Sequence, residues 1–198
     1  ELTATPIDEK GNQFRNVVYE YSLAQALDDG LYVKNPTIAT RKDFNPQGRS
    51  EEEIEKIKLE DAVSIHEDTK QELKLFALNT GKRLVKPFIL VVCKDTTHAR
   101  AVYDLVTSPD FYEGVFTEKV LQIDSTTRNE ELIEQQFVSL ENEDSEIEIV
   151  IHVNMLKEGW DVTNLYTIVP LRASNASILV EQTIGRGLRL PFGGERTG

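Results

Sequence analysis

Lys86-Pro87-Phe88-Ile89-Leu90-Val91-Val92-Cys93 contains an unbroken apolar run from Phe88 to Cys93. A run of this length with no polar alternation is expected for a strand covered on both faces. The sequence that follows, through Thr97-His98-Ala99-Arg100-Ala101-Val102-Tyr103, has helical spacing. The alternation then repeats. Lys119-Val120-Leu121-Gln122-Ile123-Asp124 reads as a strand and about Asn129 to Leu140 as a helix. Ile147-Glu148-Ile149-Val150-Ile151-His152-Val153 and Leu165-Tyr166-Thr167-Ile168-Val169 read as strands, and about Ala176 to Leu188 as a last helix. Strands alternating with helices of this length predict repeated βαβ units, hence an α/β fold with a parallel sheet and helices on both faces.

Upstream the pattern changes. Val17 to Tyr21 and Thr37 to Arg41 read as short strands, with a helix between them that Ser22 caps and Gly30 ends. Lys42 to Ser50, with Asn45-Pro46 and Gly48, reads as a loop. From Glu51 to about Asn79 the chain is acidic and helical, with Ile54, Ile57, Val63, Ile65, Leu73 and Phe76 available for burial. The expectation is a helical insert over 50–80 appended before the main sheet, its acids Glu51, Glu52, Glu53 and Glu55 forming a solvated first turn that suits the helix dipole.

With 198 residues the chain can bury one sizeable core. The formal net charge of −12 argues against broad coating of nucleic acid, so any phosphate contact is confined to a few positions. The single cysteine, Cys93, rules out a disulfide framework within the chain and fits a reducing cytoplasm. It reads as a small buried hydrophobe. No apolar run reaches the length of a membrane span. The opening residues have neither a basic region nor an initiating Met, and are expected to be an internal start.

The chemistry concentrates near the end, in Val180-Glu181-Gln182-Thr183-Ile184-Gly185-Arg186-Gly187-Leu188-Arg189. Arg186 and Arg189 are one helical turn apart, and planar guanidinium forks suit phosphoryl oxygens at any working pH. The plain alternative is a basic helix end pairing with local acids. Upstream, Gly159-Trp160-Asp161 follows a strand, which would bring a carboxylate to the carboxyl edge of the sheet; a turn aspartate is the bland reading. Lys94-Asp95-Thr96-Thr97 joins a strand to a helix, where hydroxyls and a helix N-terminus can bind a phosphate, or Thr96 or Thr97 can simply cap the helix. Ser125, Thr126 and Arg128 occupy the same kind of junction. His66, His98 and His152 are too far apart in sequence, and too poorly accompanied, to predict a metal site.

Taken in order, these segments resemble the motor motifs of superfamily 2 helicases and translocases. Gln182, Gly185, Arg186 and Arg189 look like the last motif, which would make Arg189 the arginine finger and Arg186 a second phosphate ligand. Gly159 and Asp161 are similar to the fifth motif, with Asn154 at a position where many relatives carry Asp after Thr. Lys94, Thr96 and Thr97 resemble the fourth motif, and Ser125, Thr126 and Arg128 a second DNA-touching loop. Thr3-Ala4-Thr5 resembles the third motif, which couples the two lobes. The resemblance implies a RecA-like second motor lobe over 36–198, preceded over 1–35 by the end of the first lobe and a connector. Val17 to Leu31, and Lys157 to Pro191, look like the restriction (Res) subunit of type III restriction-modification enzymes.

That resemblance implies ATP and Mg²⁺ as cofactors and double-stranded DNA as substrate. It also implies a first lobe and a nuclease domain in the same protein, and a methyltransferase (modification) partner. The chain has no Gly-x-x-x-x-Gly-Lys-Ser/Thr loop and no Asp-Glu box after a strand, so by itself it is expected neither to hydrolyse ATP nor to cut DNA. Two alternatives stand beside this reading: a stand-alone superfamily 2 helicase of defence or repair, and a non-catalytic α/β interaction module.

Overall fold

The computed structural model describes residues 23–29, 33–34, 37–39, 41–42, 44–123, 130–142, 144–153, 162–171 and 189–192. Their elements are α1 (Leu23–Asp29), α2 (Glu51–Thr80), β1 (Phe88–Cys93), α3 (Thr96–Val106), a 3₁₀ turn (Tyr112–Gly114), β2 (Val120–Ile123), α4 (Glu130–Ser139), β3 (Ile149–Val153) and β4 (Leu165–Pro170). The strands form one sheet in the order β2-β3-β1-β4, and every pairing is parallel. The α/β reading of the second half therefore holds, with each described strand boundary within two residues of its expected place.

The run in β1 is buried at all six positions because it is covered twice. Ile89, Val91 and Cys93 face one way, into a cluster with Leu59, Ala62 and Val63 of α2 and Ala99, Val102 and Val106 of α3. Phe88, Leu90 and Val92 face the other way, against Phe137 of α4, Leu140 and Val162. The link from β1 to β2 steps across β3 in one direction, and the link from β2 back to β3 steps in the other. Crossovers of one hand must then lie on opposite faces, which is where α3 and α4 pack.

Two upstream expectations are corrected. The acidic helix is no appendage. Leu59, Ala62, Val63 and His66, at i, i+3, i+4 and i+7, are at most 5 % exposed and form the stripe that seals the sheet. Glu55, one turn earlier on that stripe, is buried rather than solvated, whereas Glu51, Glu52 and Glu53 are exposed. Of the residues expected inside, Val63 is buried, but Ile65 and Phe76 remain 39 % and 38 % exposed. The helix starts in a capping box: the Ser50 hydroxyl accepts from the Glu53 amide, and the Glu53 carboxylate accepts from the Ser50 amide. It ends at Gly81, whose φ of 68° needs no Cβ and whose N–H reaches the Ala77 carbonyl.

The other correction concerns Thr37 to Arg41. Thr37, Ile38 and Ala39 lie in no strand, and Ile38 is 89 % exposed. Its one large apolar side chain has no covering layer, so pairing there would bury nothing. The strand expected over 17–21 and the helix expected over 176–188 lie outside the described residues.

Candidate functional site

The carboxyl edge of the sheet is the first place to look for a ligand, because there the chain leaves the central strands in opposite directions. Cys93 at the end of β1 is the register partner of Val153 at the end of β3. Lys94, Thr96 and Thr97 follow the first; Asn154 follows the second and lies outside the described residues. Thr96 and Thr97 are exposed in the first turn of α3. Neither is the cap. Asp95 is, accepting from the His98 amide at 2.8 Å.

Acids from α2 close this corner. The Lys94 ammonium lies 2.9 Å from the Glu51 carboxylate and 3.7 Å from that of Glu55, and the hydrogen bond to Glu51 raises its pKa. The buried Glu55 also meets Nε2 of His98 at 3.0 Å, while Nδ1 of that ring accepts from the Lys94 amide. The same ring therefore uses both nitrogens, which sets the neutral tautomer with its proton toward Glu55.

A second cluster sits at the opposite end of the sheet, at the start of β4, and it gathers segments far apart in sequence. Val33 forms an antiparallel bridge with Arg189. The Lys34 ammonium donates to the carbonyls of Thr163 and Leu165 at 2.8 and 2.9 Å, and lies 4.1 Å from the Tyr166 ring centroid. Burial lowers its pKa to about 8, against the pull of the nearby Glu141 carboxylate. Thr163 donates through both its amide and its hydroxyl to Glu141, at 2.6 and 2.8 Å. Asn164, 4 % exposed, donates to the carbonyls of Lys86 and Leu140. Beyond Arg189, the Pro191 carbonyl accepts from Arg83, and the Phe192 ring lies 5.5 Å from that of Phe76. The Arg189 side chain is exposed.

Of the expected site residues, Lys94, Thr96 and Thr97 thus meet at the carboxyl edge and Arg189 stands at the amino end. The structure does not bring these two sets together. Thr3, Ala4, Thr5, Ser125, Thr126, Arg128, Asn154, Gly159, Asp161, Gln182, Gly185 and Arg186 lie outside the described residues. Lys34, Glu141 and Thr163 were not foreseen, because a lysine bonded to two carbonyls leaves no spacing signal in the sequence.

One histidine–carboxylate group also forms at the amino edge. Ligand atoms of His66, Glu67 and Glu148 lie within 4.8 Å of one another. The place a cation would take is filled by the Lys70 ammonium, 2.8 Å from both Glu67 and Glu148. The Glu148 carboxylate also lies 2.6 Å from the Lys119 ammonium and 3.1 Å from Nε2 of His66. Burial would push the Glu148 carboxyl up, but His66, Lys119 and Lys70 together hold it well below the usual carboxylate range. The group is a self-neutralised tie between α2 and the start of β3.

Among the described residues no helix is long and apolar enough to cross a membrane. No family model matches the chain, and no curated protein matches it either.

Proposed function

We propose that this chain is the RecA-like second motor lobe of an ATP-dependent superfamily 2 DNA translocase, of the kind found in type III restriction subunits. The observation that carries the reading is the cluster at the start of β4. Residues 33–34 fall in the span assigned to the connector, 163–165 directly follow the stretch that resembles the fifth motif, and 189 ends the stretch that resembles the last motif; they meet there. In this reading the contacts set the backbone of the arginine relative to the connector.

In this account Arg189, with Arg186, stabilises charge on the transferring phosphoryl group of ATP. Its exposure fits a phosphate presented from outside the lobe. Gly159, Asp161, Gln182 and Gly185 would line the lobe's side of the cleft. The phosphate-cradling loop and the Mg²⁺ ligands would come from the first lobe, in the same cytoplasmic protein, and Thr3-Ala4-Thr5 would couple the two. A nuclease domain and a methyltransferase partner belong to the type III form of the proposal.

Double-stranded DNA would track the carboxyl edge, through Thr96, Thr97, Ser125, Thr126, Arg128 and Asn154, with Lys94 available only in exchange for Glu51 and Glu55. Placing the two ligands at opposite ends of one sheet suits a motor, in which one end reads the nucleotide while the other moves the strand.

A second reading, an interaction module, has one observation in its favour. Beyond Lys70 the last ten residues of α2, about 15 Å of helix, leave Leu75 and Leu78 58 % and 71 % exposed. Measuring ATP hydrolysis by the full-length protein, with and without duplex DNA, separates the two. The motor predicts DNA-stimulated turnover; its absence leaves the module.

A further inference from the structure

We propose that Lys34 is a positioning residue, whose ammonium pins the connector to the start of β4 and thereby sets the backbone of Arg189. The inference rests on the motor reading above. Val33 forms an antiparallel bridge with Arg189, so what holds the backbone at Val33 bears on the backbone at Arg189. The adjacent Lys34 supplies such a hold through two hydrogen bonds to carbonyls and a cation–π contact with Tyr166.

Burying an ammonium costs free energy, and a leucine or methionine would cover Tyr166 at no such cost. What the ammonium adds is distance and direction. Two carbonyls two residues apart, at 2.8 and 2.9 Å, locate Nζ in a way that an apolar contact cannot. The carbonyl of Thr163 belongs to the residue whose amide and hydroxyl are already held by Glu141, so Lys34 is anchored to a fixed point. Moving the connector relative to β4 would break these bonds and shift Arg189 through the Val33 bridge, so Lys34 fixes where the arginine stands.

The test is a double-mutant cycle in the full-length protein that carries this chain. DNA-stimulated ATP turnover is measured for wild type, Lys34→Met, Arg189→Ala and the pair, with kcat and the KM for ATP determined separately and folding checked by thermal melting. Lys34→Met should lower kcat ~10–100-fold, the scale of a misplaced catalytic group, with KM changed less than about twofold. In the Arg189→Ala background it should add less than about twofold, because the residue it positions is gone. Lys34→Arg, which keeps the charge and the donors, should recover most of the loss.

Full kcat in Lys34→Met, or losses that multiply in the pair, overturns the proposal and leaves the arginine assignment standing. Full turnover in Arg189→Ala overturns that assignment and the positioning role with it. If the methionine variant melts below the assay temperature, Lys34→Gln takes its place in the cycle with the same expectations.

Discussion

His152 shows how one residue sets the acid limit of the fold. It is 4 % exposed in β3, its Nε2 has no hydrogen-bond partner, and burial pushes its pKa from 6.5 down to about 4. Between those values the unfolded chain binds a proton that the native chain does not. Stability is therefore intact at pH 7 and declines as pH falls from 6.5 to 4, by at most about 3 kcal/mol from this group. His152→Leu should remove that slope; urea midpoints at pH 7 and 4.5 that fall equally in both proteins would sink the assignment. Glu148 acts in the same direction, since its carboxylate is held ionised and its contribution is lost on acidification. Glu148→Gln would leave Lys70, Lys119 and His66 facing one another and should cost about 2–4 kcal/mol, against less than about 1 for an ordinary surface pair; urea unfolding at pH 7 distinguishes the two.

At the scale of elements, α2 is two helices in function. Its first half is core: Val63→Ala should lower stability by about 1–3 kcal/mol and Leu59→Ala by about 2–5 kcal/mol, while Leu78→Ala in the projecting half should change it by less than about 0.5 kcal/mol. Equal losses along the helix in denaturant titrations would contradict that division. The sequence concealed the division for a physical reason. The buried stripe carries Glu55 and His66 among its apolar members, each bonded to a partner distant in sequence, His98 and Glu148. Conversely Ile65 and Phe76, apolar but off the stripe, looked like core.

The sheet was legible because β1 and β3 are apolar at nearly every position, a pattern few other environments allow. The candidate site was legible only in part. A motif announces arginines and hydroxyls, but the acids that answer Lys94 and the carbonyls that hold Lys34 are set by tertiary packing, which no local spacing encodes.

For the whole molecule, the proposed motor, an acidic body with two separate ligand ends, would make two demands. DNA must find its phosphates a place among carboxylates, so Glu51→Gln should raise duplex-DNA affinity severalfold at low salt and steepen its salt dependence by releasing Lys94. An unchanged affinity in a binding titration would remove Lys94 from the DNA track. ATP must meet Arg189 at the other end. The most direct test is DNA-stimulated ATP turnover by the full-length protein, wild type against Arg189→Ala, with both shown to be folded by circular dichroism. A second motor lobe predicts that the folded variant loses turnover by a factor of ~10³–10⁵, the contribution of an arginine finger. Turnover unchanged in the folded variant would contradict the motor account.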